Sequence, residues 1–156
     1  LIDYYIDKDE KEKVKAILDN FSEWKIDATL FIAENYYKIQ CYNKAIEWFK
    51  RNHELASQTL PMLSDNYCHI AQCYYGMGDY DNAIIYGKKA ENTYRGDVTS
   101  KEVLGDSYYK KEDVKMAIQW YKKALLCYRE GSYHGIDKFI SHMRELGLYN
   151  EVVNAR

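Results

Sequence analysis

The sequence predicts an all-α protein, built as a continuous stack of antiparallel helix hairpins. A Tyr-Tyr pair followed after seven residues by Ala-Ile occurs three times, and the steps between the copies are 38 and 34 residues. A repeat of this length is typical of one helix-turn-helix unit that packs on the next unit. The three copies are Tyr36-Tyr37 with Ala45-Ile46, Tyr74-Tyr75 with Ala83-Ile84, and Tyr108-Tyr109 with Ala117-Ile118.

Composition supports one domain without an internal linker. The chain has 156 residues, of which 47% are hydrophobic, so it has enough apolar material for a core. Its one proline and eight glycines leave no Pro/Gly-rich or low-complexity segment. We expect a single repeat domain over residues 1–156, with full repeats at 26–63, 64–97 and 98–131 and partial repeats at 1–25 and 132–156.

Both ends resemble incomplete hairpins, and the sequence starts at Leu1 rather than at a methionine. Tyr4-Tyr5 and the apolar residues up to Phe21 are typical of the end of a first helix and a whole second helix. We therefore expect the chain to be part of a longer protein.

Helical periodicity assigns a core stripe to each first helix. An aliphatic residue, a small residue and a tyrosine recur there at helical spacing, which predicts about seven helices and no sheet. The stripe consists of Ile32, Ala33 and Tyr36, then Ile70, Ala71 and Tyr74, then Leu104, Gly105 and Tyr108.

Two positions depart from the repeat. Asn52 stands where a small residue is expected, and the next copy starts four residues late, so we predict a lengthened second helix over 43–58. Gly87 stands where Phe49 and Tyr121 place an aromatic ring. Either a bulky neighbour fills the space at Gly87 or the helix is weak there.

The repeated residues resemble the tetratricopeptide repeat. The match is clearest for Ala71, Tyr74-Tyr75, Gly78-Asp79-Tyr80, Ala83-Ile84 and Ala90, and the copy at 98–131 follows it closely. This resemblance implies an α-α superhelix, a right-handed solenoid, in which the first helices line a concave groove that holds a protein or peptide segment.

The same resemblance implies which side chains face the groove. They lie one step off the core stripe, and they combine aromatic rings with carboxylates, which suits a partner with basic and apolar or aromatic side chains. We expect peptide-binding roles for Glu34, Tyr37, Gln72, Tyr75, Glu102, Asp106 and Tyr109.

Catalytic chemistry finds little support. Gly76 and Gly78 form a lone GxG between helices, which indicates a turn rather than a phosphate loop. His69 and Cys73 lie four residues apart, but a buried cysteine beside a histidine explains them better than a metal does. His134 and His142 are assigned solvated or capping roles. The sequence thus predicts no enzyme, no catalytic residues, no metal and no cofactor.

Charge also excludes some partners. The formal net charge is −2 with acids and bases interspersed, and lysine pairs such as Lys88-Lys89 fit a solvated outer face, so we expect neither nucleic-acid nor membrane binding. Four cysteines without a CxxC motif suggest a reducing, cytoplasmic setting. The enrichment in Tyr, Lys and Ile suggests an AT-rich, bacterial genome.

Two functions remain open. One is a scaffold that holds a protein segment on the first helices. The other is the peptide-sensing module of a larger bacterial regulatory protein, which the irregular repeat lengths suit. The residues upstream of Leu1 discriminate between them, because a helix-turn-helix there favours the regulator and further repeats favour the scaffold.

Overall fold

A computed structural model shows an all-helical protein and describes residues 2–19, 26–59, 66–93, 97–131 and 134–154. No strand occurs in these ranges. The helices are α1 Ile2–Asp7, α2 Lys11–Asp19, α3 Ile26–Lys38, α4 Tyr42–Thr59, α5 Tyr67–Gly76, α6 Tyr80–Glu91, α7 Val98–Lys110, α8 Val114–Glu130, α9 Ile136–Glu145 and α10 Tyr149–Val152.

Successive helices pack as hairpins, and the hairpins pack on one another. The closest pairs are α3 with α4, α5 with α6 and α7 with α8, while α4 with α5 and α6 with α7 join neighbouring hairpins. The all-α prediction is confirmed. The number of about seven helices was wrong, because the described ranges contain ten. The shorter helices α1, α2 and α10 account for the difference.

The core is divided between the two ends of the stack. One buried cluster joins α2, α3, α4 and α5, and it includes Leu18, Tyr36 and Phe49. A second cluster joins α7 to α10 around Tyr121 and Phe139. Between these two, a smaller cluster joins Ile84 of the middle hairpin to Leu104 of α7 and Trp120 of α8.

The hairpin turns share one backbone geometry. In each of five turns, the residue two positions before the second helix has a positive φ, between 55° and 78°. Only Gly78 and Gly147 are glycines among these residues. The other three are Asp9, Gln40 and Glu112, so an ordinary side chain accepts the left-handed conformation here.

Gly76 has a role that differs from the expected one. We predicted that Gly76 and Gly78 both give the turn its freedom, but Gly76 is the last residue of α5 and only Gly78 is left-handed. A Cβ at Gly76 would lie 2.5 Å from the ring of Tyr42 at the start of α4. A side chain at position 76 would have to displace the ring of Tyr42.

The expected long second helix is confirmed, since α4 runs from Tyr42 to Thr59. Asn52 on this helix is 3% exposed, and its Nδ2 donates to Thr29 Oγ1 at 2.9 Å. Asn66, the residue before α5, donates from its Nδ2 to Asn52 Oδ1 at 2.7 Å. A buried polar bridge from α3 through α4 to α5 thus replaces the small residue expected at position 52.

Gly87 is explained by a neighbour. A Cβ at this position would lie 2.9 Å from both Cγ and Cδ2 of Leu104, which is fully buried in α7. The next hairpin fills the space with its own leucine. Of the two explanations that the sequence left open, the bulky neighbour is the correct one.

We expect Gly87→Ala to lower the free energy of unfolding by about 1 kcal/mol, since overpacking costs about 1–3 kcal/mol and the better helix former returns about 1 kcal/mol. In a Leu104→Ala background the clash is absent, and the same change should stabilise the protein. Urea denaturation of the unmodified protein, the two single variants and the double variant measures the sign of the stability change in each background. Equal effects in the two backgrounds would contradict the contact.

Candidate functional site: the first-helix face

The seven predicted binding residues lie on three successive first helices. Glu34 and Tyr37 belong to α3, Gln72 and Tyr75 to α5, and the remaining three to α7. Glu34 is exposed and the other six are half-buried. We call the surface formed by α3, α5, α7 and α9 the first-helix face.

Asp106 is the most highly connected of these residues. Its Oδ1 accepts a hydrogen bond from the hydroxyl of Tyr121 at 2.6 Å, and it lies 2.8 Å from Nε2 of His142. The hydrogen bond with Asp106 raises the pKa of His142 above its ordinary value, although partial burial opposes this. His142 therefore bridges α9 to α7, and this contact favours its protonated form.

The solvated or capping role expected for His142 was wrong, because it pairs with Asp106. His134 lies before α9, which begins at Ile136, and it is exposed. The sequence distance of 36 residues between Asp106 and His142 hid the pair.

Glu102 lies one helical turn before Asp106 on α7. Its Oε1 accepts a hydrogen bond from the hydroxyl of Tyr128 at 2.8 Å. Burial raises the pKa of Glu102, and this effect outweighs the lowering by Tyr128. In the described part of the chain, no donor reaches the second oxygen of Glu102 or of Asp106. These oxygens remain able to accept hydrogen bonds.

Both carboxylates face one cavity of about 630 Å³, between α7, the end of α8 and α9. Its size is in the range of ligand-binding clefts, which is about 300–1,000 Å³. Basic side chains lie across from the two acids. The lining residues are Glu102, Asp106, Tyr128, His134, Gly135, Lys138, Phe139 and His142.

The three tyrosines of the expected groove ladder are half-buried. Tyr37 packs against Tyr42 with ring centroids 5.8 Å apart, and Tyr75 packs against Tyr80 at 5.6 Å. The hydroxyl of Tyr109 donates to the carbonyl of Leu146 at 3.4 Å. Tyr37 and Tyr75 therefore pack against rings of the same chain, and Tyr109 forms a hydrogen bond within it.

We expected the core tyrosines to be more buried than the groove tyrosines, and only the first repeat shows this difference clearly. Tyr36 is 1% exposed, whereas Tyr74 and Tyr108 are half-buried like the groove set. The hydroxyl of Tyr36 donates to Asp19 of α2 at 2.6 Å.

The structure brings part of the predicted set together. Tyr75, Asp106 and Tyr109 all lie close enough to Tyr121 to influence its phenol electrostatically. Burial, followed by the charge of Asp106, raises the pKa of Tyr75 to about 12. Glu34, Tyr37 and Gln72 lie on earlier helices and line neither this cluster nor the cavity.

Sequence reasoning missed the side chains that hold the two carboxylates. Tyr121 and Tyr128 are seven residues apart on α8, which places them on one face of that helix. The spacing of seven residues could have indicated that both tyrosines face the same neighbouring helix. Lys138 was also missed, although it lines the cavity while its helix neighbours Asp137, Ser141 and Arg144 do not.

The described residues contain no group of three His, Cys, Asp or Glu side chains placed to hold a metal ion. His69 instead stacks on Phe49 with ring centroids 4.9 Å apart. Cys73 is fully buried, and burial raises the pKa of its thiol to about 12. Among the helices of the described ranges, none is long and apolar enough to cross a membrane.

A stack of antiparallel helix hairpins with side chains presented along one face defines an α-solenoid repeat protein. Two models of the tetratricopeptide repeat match the chain, one over residues 26–96 and the other over residues 99–126. The chain belongs to the tetratricopeptide repeat family. Repeats of this family generally serve as protein-interaction scaffolds and are typically non-catalytic.

Proposed function

We propose that this protein is a scaffold that holds a protein or peptide segment on its first-helix face, with the main anchor in the cavity between α7 and α9. The observation that supports this most directly is the pair Glu102 and Asp106. They lie one turn apart, face the same cavity of about 630 Å³, and each keeps one oxygen without a donor in the described residues.

The geometry favours a basic side chain as the anchor. A guanidinium group has five donors in a planar fork, so it can reach the second oxygens of both carboxylates at once. Tyr75 and Tyr109 lie beside Asp106, and their partly exposed rings offer contact to apolar or aromatic neighbours in the segment. A partner with arginine or lysine beside apolar residues fits this chemistry.

His142 competes with such a ligand for Asp106. Below its raised pKa, His142 is positively charged and occupies this carboxylate. As the pH rises through that pKa, His142 loses its charge and Asp106 attracts an arginine more strongly. The raised pKa of Glu102 acts in the same direction, because a protonated Glu102 attracts no cation. Binding should therefore tighten as the pH rises.

The alternative function, a peptide-sensing module of a bacterial regulatory protein, would use the same surface. The bond between His142 and Asp106 favours it, because it links α9 to the ligand-facing side of α7. A ligand that takes Asp106 would release this link. Faster hydrogen exchange in α9 on ligand binding supports a sensor, whereas unchanged exchange supports a passive scaffold.

The test is an array of short peptides that carry a central arginine between apolar residues, compared with the same array carrying neutral citrulline. Glu102→Gln and Asp106→Asn should each weaken binding of the arginine peptides by about 1–3 kcal/mol. Added salt should weaken binding to the unmodified protein, because it screens the carboxylates.

Glu130→Gln is the matched control, because Glu130 is exposed at the end of α8 and lies outside the cavity. It removes the same charge and should leave affinity nearly unchanged. Glu102 and Asp106 are half-buried like Tyr75 and Tyr109, and both accept a tyrosine hydrogen bond, so circular dichroism must show that each variant is folded before its binding is compared. Equal binding of arginine and citrulline peptides would refute the proposed anchor.

A further inference from the structure

A second cavity is lined by the second helices α4 and α6 and by the N-terminal part of α5. Its volume is about 220 Å³, and it shares no lining residue with the cavity described above. Rings and an isoleucine form its walls, and two lysines stand at its edge. The lining residues are Lys50, His53, Glu54, Tyr67, Ile70, Tyr86 and Lys89.

Both lysines are directed toward the same ring. The ammonium group of Lys89 lies 4.6 Å from the centroid of the Tyr86 ring, and that of Lys50 lies 5.7 Å from it. Lys89 is also 5.7 Å from the ring centroid of Tyr67. These distances are within the range of cation–π contacts, which extends to about 6 Å.

Neither ammonium group has an ion-pair partner in the described part of the chain. Some lysines have partners, such as Lys101 with Glu91, whereas Lys88 and Lys123 also lie over rings, those of Tyr108 and Trp120. Glu54 lines the cavity but forms no ion pair with Lys50 or Lys89 among the described residues. Both positive charges therefore lie within 5.7 Å of the centroid of the Tyr86 ring, which does not neutralise them.

The size and walls of the cavity restrict its ligand. A volume of about 220 Å³ is below the range of about 300–1,000 Å³ that is usual for small-molecule sites. It suits one side chain that projects from a larger partner. Tyr67, Tyr86 and Ile70 can pack against an aliphatic stem, and the two lysines can receive a negatively charged tip.

We propose that this cavity binds a glutamate or aspartate side chain of an acidic protein segment, with its carboxylate between Lys50 and Lys89. Both lysines lie on second helices, Lys50 on α4 and Lys89 on α6, and Lys88-Lys89 was expected to be a solvated pair. Their charge is opposite to that of the anchor formed by Glu102 and Asp106. The proposal does not depend on ligand binding at that anchor.

The experiment is a fluorescence anisotropy titration with a labelled glutamate-rich peptide and with its twin, in which glutamine replaces every glutamate. The unmodified protein should bind the glutamate peptide at least about tenfold more tightly. The double variant with Lys50→Gln and Lys89→Gln should lose this preference. Arginine at both positions should preserve it, because arginine keeps the charge and the ring contact.

The control is the double variant with Lys115→Gln and Lys122→Gln, two exposed lysines of α8. It makes the same change in net charge and should keep the preference. The double variant with Lys50→Glu and Lys89→Glu should instead prefer a lysine-rich peptide. This reversal would show that the cavity still exists in a folded protein.

Three results would overturn the proposal. An equal loss in the control would indicate general electrostatics, and an unchanged preference in the variant with Lys50→Gln and Lys89→Gln would exclude the cavity. Binding of inorganic phosphate or of phosphatidylserine vesicles that depends on the same lysines, without binding of the glutamate peptide, would assign the cavity to another anion.

Discussion

Replacing Tyr121 with alanine is expected to lower the free energy of unfolding by about 3–5 kcal/mol. Tyr121 is fully buried in α8, and its ring packs against Phe139 with centroids 6.2 Å apart. The ring also occupies the space where a Cβ at Gly105 would lie. Its hydroxyl donates to Asp106 at 2.6 Å, so the variant loses both packing and a charge-assisted hydrogen bond.

Urea denaturation followed by circular dichroism measures this loss. Tyr121→Phe keeps the ring and should cost only about 1.5–3 kcal/mol, the usual range for a hydrogen bond to a charged group. Leu126→Ala is the control on the same helix, because Leu126 is 52% exposed, and it should cost no more than about 0.5 kcal/mol. A loss at Tyr121 no larger than at Leu126 would contradict this packing.

Asn52→Ala should lower the free energy of unfolding by about 2–4 kcal/mol, although it introduces the residue that the other repeats carry at this place. Those residues, Ala90 and Ala124, are buried and have no polar side-chain group that needs a hydrogen bond. At position 52 the asparagine connects Thr29 to Asn66, and alanine removes the acceptor of one hydrogen bond and the donor of the other. At this position, the two hydrogen bonds therefore matter more for stability than having the residue that the other repeats carry.

A double-mutant cycle checks this interpretation. If Asn52 acts through Asn66, then Asn52→Ala should cost at least about 1 kcal/mol less in an Asn66→Ala background. Asn43→Ala, an exposed change on the same helix, should be nearly neutral. A stabilising Asn52→Ala would mean that the buried bridge contributes nothing to the fold.

The helical array was predictable because its signal is periodic and local. The small residues, the doubled tyrosines and the late start of the second full repeat are all visible along the chain, and α4 has the length that they indicate. The terminal helices were expected only as incomplete hairpins, because their part of the repeat is shorter. The bridge at Asn52 was visible only as an exception, since its partners are 14 and 23 residues away.

The candidate site was less predictable, since its chemistry depends on contacts between helices. Periodicity placed Glu102 and Asp106 on the first-helix face. It did not show that Tyr128 and His142 reach them, because that depends on how α8 and α9 pack against α7. The half-burial of Tyr75 and Tyr109 also depends on how neighbouring helices pack, so sequence spacing did not show it. Positions on a helix surface follow from sequence spacing, whereas their partners follow from tertiary packing.

The shared turn geometry has a consequence for how such an array evolves. Aspartate, glutamine, glutamate and glycine all occupy the left-handed position, so the turn tolerates changes in its sequence. Duplicating one hairpin would copy a complete turn, and later mutations at its left-handed position would seldom disrupt the turn. Selection can then act mainly on the buried contacts between hairpins and on the exposed faces. Copies that have diverged in surface chemistry can still stack in register.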